Sequence, residues 1–349
     1  MKRHRQKRGS QRCTYRSITA ALAIGIAVAL TASFQARTAQ AQIVMKVSTA
    51  TVNDAQHEWI KRFVAAVNKN SGGKIAGEVY SASQLGSIPR QIEATQLGAV
   101  QGWVGPAEFL AGVDRRFEVL SAAGIFVNTE QAQRILVDEK FSKAFLKIAE
   151  PKGIMGVGLF LGGPNVIATR KPVERVAGLK GLKIRVLASA VQLEQMKKLG
   201  ATPLPMALGE VLPAIQQGTI DGLMTSIPVM TAFKYYDAAP DILETNHSYI
   251  ISIATLSKRW FESLSPDLQK IVLDSANRTT AELYSWIINM LTEERKAWTA
   301  HGGRITQVPA ADRSTMMSEL EQTSSSVFAT DPAVSEMYRE LVAAAKRTK

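Results

Sequence analysis

Ile43-Val44-Met45-Lys46-Val47-Ser48-Thr49-Ala50-Thr51 opens the segment that decides the fold. Val44, Lys46 and Ser48 alternate with Met45, Val47 and Thr49, the two-residue period of a strand. Asn53 or Asp54 then stands where a helix cap belongs. Trp59, Ile60, Phe63, Val64 and Val67 recur at helical spacing until Ser71-Gly72-Gly73 ends the run. Residues 74–80 read as a strand, 88–97 as a short helix ended by Gly98, and 99–104 as a strand again. Strand–helix–strand alternation predicts βαβ units and an α/β protein with a largely parallel sheet.

The middle of the chain repeats the theme. Residues 156–160, 166–169, 182–187, 220–225 and 249–256 read as strands, and 191–199 and 208–217 as helices closed by Gly200 and Gly218. Residues 267–301 then run for 35 positions without Gly or Pro. Ser265 is a candidate N-cap, Pro266 suits a first helical turn, and Gly302-Gly303 can end the helix. One helix of that length spans roughly 50 Å, enough to outrun a single lobe and cross two. Two shorter helices with an unmarked break are the alternative.

The beginning of the chain is a targeting signal rather than part of this pattern. Lys2, Arg3, Arg5, Lys7, Arg8, Arg12 and Arg16 precede an apolar run over residues 18–34, and Ala39-Gln40-Ala41 supplies a small-x-small cleavage site. That order predicts a secretory signal peptide over residues 1–41, cut before Gln42, and hence an exported protein. The formal charge of +12 (42 Lys and Arg against 30 Asp and Glu) shrinks accordingly. Residues 1–41 hold eight basic residues and no acid, which leaves 34 against 30, or +4. No basic stripe for nucleic acid remains. Cys13, the only cysteine, leaves with the signal, so neither disulfides nor thiol chemistry is expected. About 308 residues bury enough surface without them and suffice for two lobes.

Catalytic signatures are missing. The chain has no GxGxxG, Walker P-loop, GxSxG or HExxH string. His57, His247 and His301 are scattered without ligand spacing and read as structural or surface residues. No cofactor and no metal are expected, and an enzyme is disfavoured. An exported α/β protein with two lobes and no catalytic motif suggests a binding protein that closes on a small solute.

Specific strings support that idea: Ser71-Gly72-Gly73-Lys74-Ile75, Gln84-Leu85-Gly86, Gln96-Leu97-Gly98, Leu179-Lys180-Gly181-Leu182-Lys183-Ile184-Arg185-Val186, Leu199-Gly200-Ala201-Thr202-Pro203 and Ile220-Asp221-Gly222. With them the chain resembles the DctP-type solute-binding proteins of tripartite ATP-independent periplasmic (TRAP) transporters, from about Val47 to beyond Gly302. The resemblance implies a two-lobed periplasmic binding protein fold, type II-like, with a long helix spanning both lobes. It implies lobe I from residues 42–163 plus about 251–290, and lobe II from 164–250 plus about 291–349. It also implies a small organic acid as ligand and the membrane permease subunits of a TRAP transporter as partners.

Arg185 is the foremost site candidate. An organic acid taken from water needs a fixed cation, and a guanidinium offers two parallel donors that match a carboxylate. In strand geometry Lys183 and Arg185 face away from Leu182, Ile184 and Val186, and the matching arginine in the family clamps the ligand carboxylate. The family often carries a second basic residue some twenty positions earlier, where this chain has Asn165. It often carries an asparagine shortly after the Asp-Gly, where this chain has Thr225. Both departures remove polar groups and favour a monocarboxylate over a C4-dicarboxylate or sialic acid. Gln84, Glu93, Trp103 and Phe160 fall near segments that line the family's cleft, although Trp103 and Phe160 read equally as core aromatics. Tyr235 and Tyr236 read as core. Besides transport, the same resemblance admits a protein that presents its ligand to a membrane sensor kinase, or a periplasmic enzyme.

Overall fold

The computed structural model describes residues 42–187 and 189–349. The export signal read from residues 1–41 therefore lies outside the described residues. In chain order the strands are β1 (Ile43–Ser48), β2 (Ile75–Tyr80), β3 (Gly102–Pro106), β4 (Ile154–Pro164), β5 (Val166–Thr169), β6 (Lys183–Val186), β7 (Thr202–Pro205), β8 (Gly222–Thr225), β9 (Asp241–Glu244), β10 (Tyr249–Ser257) and β11 (Arg304–Gln307). They form two sheets, one per lobe: β2-β1-β3-β10-β4 and β11-β9-β5-β8-β6-β7.

The expected largely parallel arrangement holds apart from one strand in each sheet. Strand β10 runs antiparallel to both β3 and β4, and β5 antiparallel to both β8 and β9. The cause is how these two strands enter. Each arrives directly from the other sheet, so neither is bound by the helical crossover that makes neighbouring strands parallel. Strand β4 becomes β5 through the single residue Asn165, and β9 becomes β10 through residues 245–248. The two crossings lie side by side. Asn165 N donates to Ser248 O at 2.9 Å, and Asn246 N donates to Asn165 O at 3.1 Å.

Apolar alternation in the second sheet feeds two cores. Val166 and Ala168 of β5, Leu223 of β8 and Ile242 of β9 pack on one face with Val211, Ile215 and Tyr235. Ile167, Met224 and Leu243 pack on the other with Ile184, Val186, Met196 and Leu320. Because both faces are covered, these strands read as continuous apolar runs. Ile184 and Val186 occupy the second face, so Arg185 between them points toward the first.

The long helix is single and runs Pro266–Ala300. Toward its beginning, Trp59 Nε1 of helix Ala55–Asn70 donates to Thr280 Oγ1 at 2.9 Å, and a Cβ at Gly158 of β4 would stand 2.4 Å from the same oxygen. Toward its end, Trp298 is fully buried in the core of the second lobe and Arg295 forks onto Glu244 of β9. Gly302, at φ +84°, turns the chain out of the helix where Gly302-Gly303 predicts.

Helix Ala310–Phe328 packs Met316 and Leu320 into the second lobe, but the final helix, Pro332–Arg347, returns to the first. There Arg347 forks onto Asp138 at 2.7 and 3.0 Å, Lys140 pairs with Glu340, and Arg134 Nε donates to Thr348 O. Exposed pairs contribute little individually. The apolar stripe Val334, Met337 and Leu341 supplies the attachment.

Candidate functional site

A cavity lies between the lobes. The first lobe contributes Ala50, Thr51 and Gln56 beyond β1, Ile88, the stretch from Trp103 to Pro106 in β3, Phe109 and Ile250. The second contributes Arg185 at the end of β6, Leu187, Leu208, Thr225 at the end of β8 and Val229. Parallel strands β6 and β8 thus deliver their carboxyl ends to the cavity, the place where open α/β sheets bind ligands.

Arg185 is 2 % exposed, and among the described residues it forms no ion pair. Its one hydrogen bond there is from Nε to Met206 O at 3.1 Å. Burial pulls its pKa down to about 10, opposed by Tyr235 and Glu108, so it stays charged at neutral pH. A buried cation without a counter-ion is costly. Here the cation lines the cavity between the lobes. Tyr235, fully buried beside it, donates from its hydroxyl to Leu208 O at 3.3 Å, and burial pushes its pKa up to about 12.

The rest of the lining is mainly apolar. Trp103 is buried, and its Nε1 has no hydrogen-bond partner among the described residues. Gln56 Oε1 accepts from Thr49 Oγ1 and Thr51 Oγ1 at 3.2 and 3.3 Å, which leaves its amide nitrogen free to donate. The helix that carries Gln56 is capped by Asp54, whose carboxylate accepts from the backbone nitrogens of Gln56 and His57.

Arg185, Thr225 and Trp103 are brought together on this cavity. The other four expected residues stand elsewhere. Phe160 is buried in the core, stacked on Trp59 with ring centroids 6.1 Å apart. Asn165 is committed to the crossing between the lobes, where Nδ2 donates to Ser248 Oγ at 2.9 Å. Glu93 is exposed, because helix Ile88–Leu97 buries Ile88, Gln91, Ile92 and Thr95 on its opposite face. Gln84 is exposed in the turn before that helix. Thr51, Gln56, Ile88, Phe109, Leu208, Val229 and Ile250 were not singled out from sequence. The rule that ligands meet the carboxyl ends of strands would have found Thr51 and Gln56, which follow β1.

The family model for bacterial extracellular solute-binding proteins, family 7 (DctP), matches residues 47–331. The 2,3-diketo-L-gulonate-binding periplasmic protein YiaO of Escherichia coli is 28 % identical over 262 residues, 75 % of this chain and 78 % of that protein. The C4-dicarboxylate-binding periplasmic protein DctP of Rhodobacter capsulatus is 30 % identical over 230 residues, 65 % of this chain and 68 % of its own. Among solved structures, the sugar acid binding protein DctPAm of Advenella mimigardefordensis with galactonate superposes with a TM-score of 0.84 at 22 % identity, covering 88 % of this chain and 99 % of that one. A TRAP periplasmic solute binding protein of Desulfovibrio salexigens with orotic acid gives 0.83 at 22 % identity, covering 88 % and 100 %. At such identity the two structures speak for the fold.

Proposed function

The chain belongs to the DctP family of bacterial extracellular solute-binding proteins, and we propose that it captures a small organic monocarboxylate in the periplasm and delivers it to the permease subunits of a TRAP-type transporter. The observation that carries this reading is Arg185, a buried guanidinium without a counter-ion facing an inter-lobe cavity. A ligand carboxylate supplies the absent charge and can take two parallel donors from one guanidinium. The named ligands of the similar proteins, diketogulonate, C4-dicarboxylate, galactonate and orotic acid, are all acids.

The remainder of the wall sets the class. Beyond Arg185 the side chains that can hydrogen-bond a ligand are Thr51, Gln56, Thr225 and the indole of Trp103. Ile88, Val104, Pro106, Phe109, Leu187 and Val229 offer only contact area. A second carboxylate or a polyol chain would lose its water against these residues without repayment. Export follows from the signal over residues 1–41, with the periplasmic form beginning at Gln42.

A thermal-shift screen tests the reading, since a ligand raises apparent stability by RT ln(1 + [L]/Kd). Monocarboxylates with an apolar body are expected to give the largest shifts. Larger shifts from C4-dicarboxylates or sugar acids would overturn the assignment of class, and no shift from any acid would overturn the function.

A further inference from the structure

Glu108 lies in the turn between Pro106 and Phe109, two residues of the cavity wall, and is itself 1 % exposed. It forms no ion pair among the described residues. Its carboxylate is held by neutral groups: Gln192 Nε2 of the opposite lobe donates to Oε1 at 3.1 Å and also reaches Ser121 Oγ at 3.3 Å, and the Ser121 hydroxyl bonds the carboxylate from its own lobe. Gln192 Oε1 in turn accepts from the backbone nitrogen of Leu187, another wall residue, at 3.1 Å. The acid is thus fixed directly behind the cavity.

Two buried charges of opposite sign therefore flank one cavity wall without touching. Arg185, from β6, lines the same cavity as Pro106, Phe109 and Leu187, and Gln192 joins Glu108 to Leu187 two residues beyond it. Glu118, from the turn Arg115–Ser121, acts on Glu108 as a like charge, and Arg115 stands 3.8 Å from Glu118 on its outer side. Tyr235 faces Arg185, and the helix Ala190–Lys198 meets Glu108 through the neutral Gln192.

We propose that Glu108 is a positioning residue that couples anion capture to proton uptake: when a carboxylate occupies Arg185, Glu108 takes a proton from solvent. The proposal rests on the reading of Arg185 as the anion site. One buried cation cannot balance two buried carboxylates, so the carboxylate that lacks direct donors from the guanidinium gives way. The proton adds to a carboxylate oxygen of Glu108, and no other bond changes. Burial already holds the Glu108 pKa up to about 7, so the free protein is poised to accept it near neutrality. Ligand affinity is then highest below pH 7. Above it, affinity falls by up to tenfold per pH unit until the pKa of the complex is reached.

Two measurements decide the matter. In the ligand-free protein, carbon NMR of labelled glutamate carboxyls, with Glu108 assigned through Glu108→Gln, follows the titration in wild type and Arg185→Ala. The midpoint should rise by about one unit or more when the cation is removed, and an unchanged midpoint overturns the coupling. The second measurement keeps the wild-type fold and uses benzoate as the probe. Calorimetry at pH 8 in two buffers of different ionisation enthalpy should give net proton uptake for the wild type and none for Glu108→Gln. Equal uptake in both proteins overturns the proposal. Absence of benzoate binding would count against the monocarboxylate reading instead, and the NMR midpoint would still decide whether Glu108 feels Arg185.

Discussion

The indole of Trp103 lies against Gly105, two residues along the same strand: a Cβ built on Gly105 would stand 2.3 Å from ring atom Cζ2 and 2.7 Å from Cη2. Alternate residues of a strand share a face. The bare glycine is what lets the largest side chain of the cavity wall lie flat. Gly105→Ala should push the ring off its seat, at a cost of about 1–3 kcal/mol for overpacking. Ligand affinity should fall with it, because the displaced ring enters the cavity. A thermal melt paired with calorimetry checks both effects, and unchanged affinity would show that the indole does not shape the site.

Arg185→Ala leaves the ligand carboxylate buried without its cation. Truncating one partner of such a pair costs about 2–5 kcal/mol, on the order of 30- to 3,000-fold in affinity. Arg185→Lys keeps the charge but loses the fork, and should fall between wild type and alanine. Both variants should remain folded, since the arginine spends one hydrogen bond on the protein and faces the cavity. Near-native affinity in Arg185→Ala would end the carboxylate-clamp mechanism.

Asn165→Ala should behave in the opposite way. Its side chain bonds Ser248 at the crossing between lobes and does not line the cavity. Losing that buried bond should cost about 1–3 kcal/mol of stability. Intrinsic affinity should stay near wild type. A loss of affinity comparable to that of Arg185→Ala would return Asn165 to the site.

His247 makes the same crossing sensitive to acid. It is fully buried, with Nδ1 3.0 Å from Thr245 Oγ1 and Nε2 unpartnered among the described residues. Burial, aided by Arg313, depresses its pKa from 6.5 to about 4. The unfolded chain therefore binds a proton below pH 6.5 that the folded protein refuses until about pH 4. The contribution of His247 to stability is full above 6.5 and is lost as pH falls through that window, on the order of 3 kcal/mol in all. Denaturant unfolding at pH 7 and pH 4.5 should show the wild type losing more stability than His247→Gln. Equal losses would contradict it.

Ile287 is fully buried near the middle of the long helix. Ile287→Pro should cost about 3 kcal/mol or more, because the interior loses a hydrogen bond and gains a clash. A melting temperature close to wild type would mean that the two halves are independent.

The elements that could be read from sequence are those whose pattern is local. The helical stripe from Trp59 to Val67 and the 35-residue helix announce themselves through spacing and through the glycines that end them. Strand β7 does not, because Thr202-Pro203-Leu204-Pro205 has two prolines and reads as loop. The fold tolerates it at the edge of the second sheet, where absent N–H groups break no ladder on the outer side. The other edge, β11, holds half-buried Ile305 and Thr306 between exposed Arg304 and Gln307 and is equally quiet. The site divides along the same line. Arg185 is legible as a lone cation between buried apolar neighbours. Glu93 is not, since proximity in sequence to the cavity says nothing about which helix face meets it, and Phe160, which reads equally as core or cleft, falls in the core because β4 is buried along most of its length.

The path of the chain also fixes where its ends ride. It passes between lobes at Asn165, at residues 245–248, along the long helix, and again between helices Ala310–Phe328 and Pro332–Arg347. Four passages is an even number, so β1 and the last helix share the first lobe. A donor and acceptor fluorophore fused before β1 and after Lys349 would keep a constant separation however far the lobes swing. A reporter of closure needs one dye on the second lobe, and Lys183, exposed on β6 two residues from Arg185, is a place to put it.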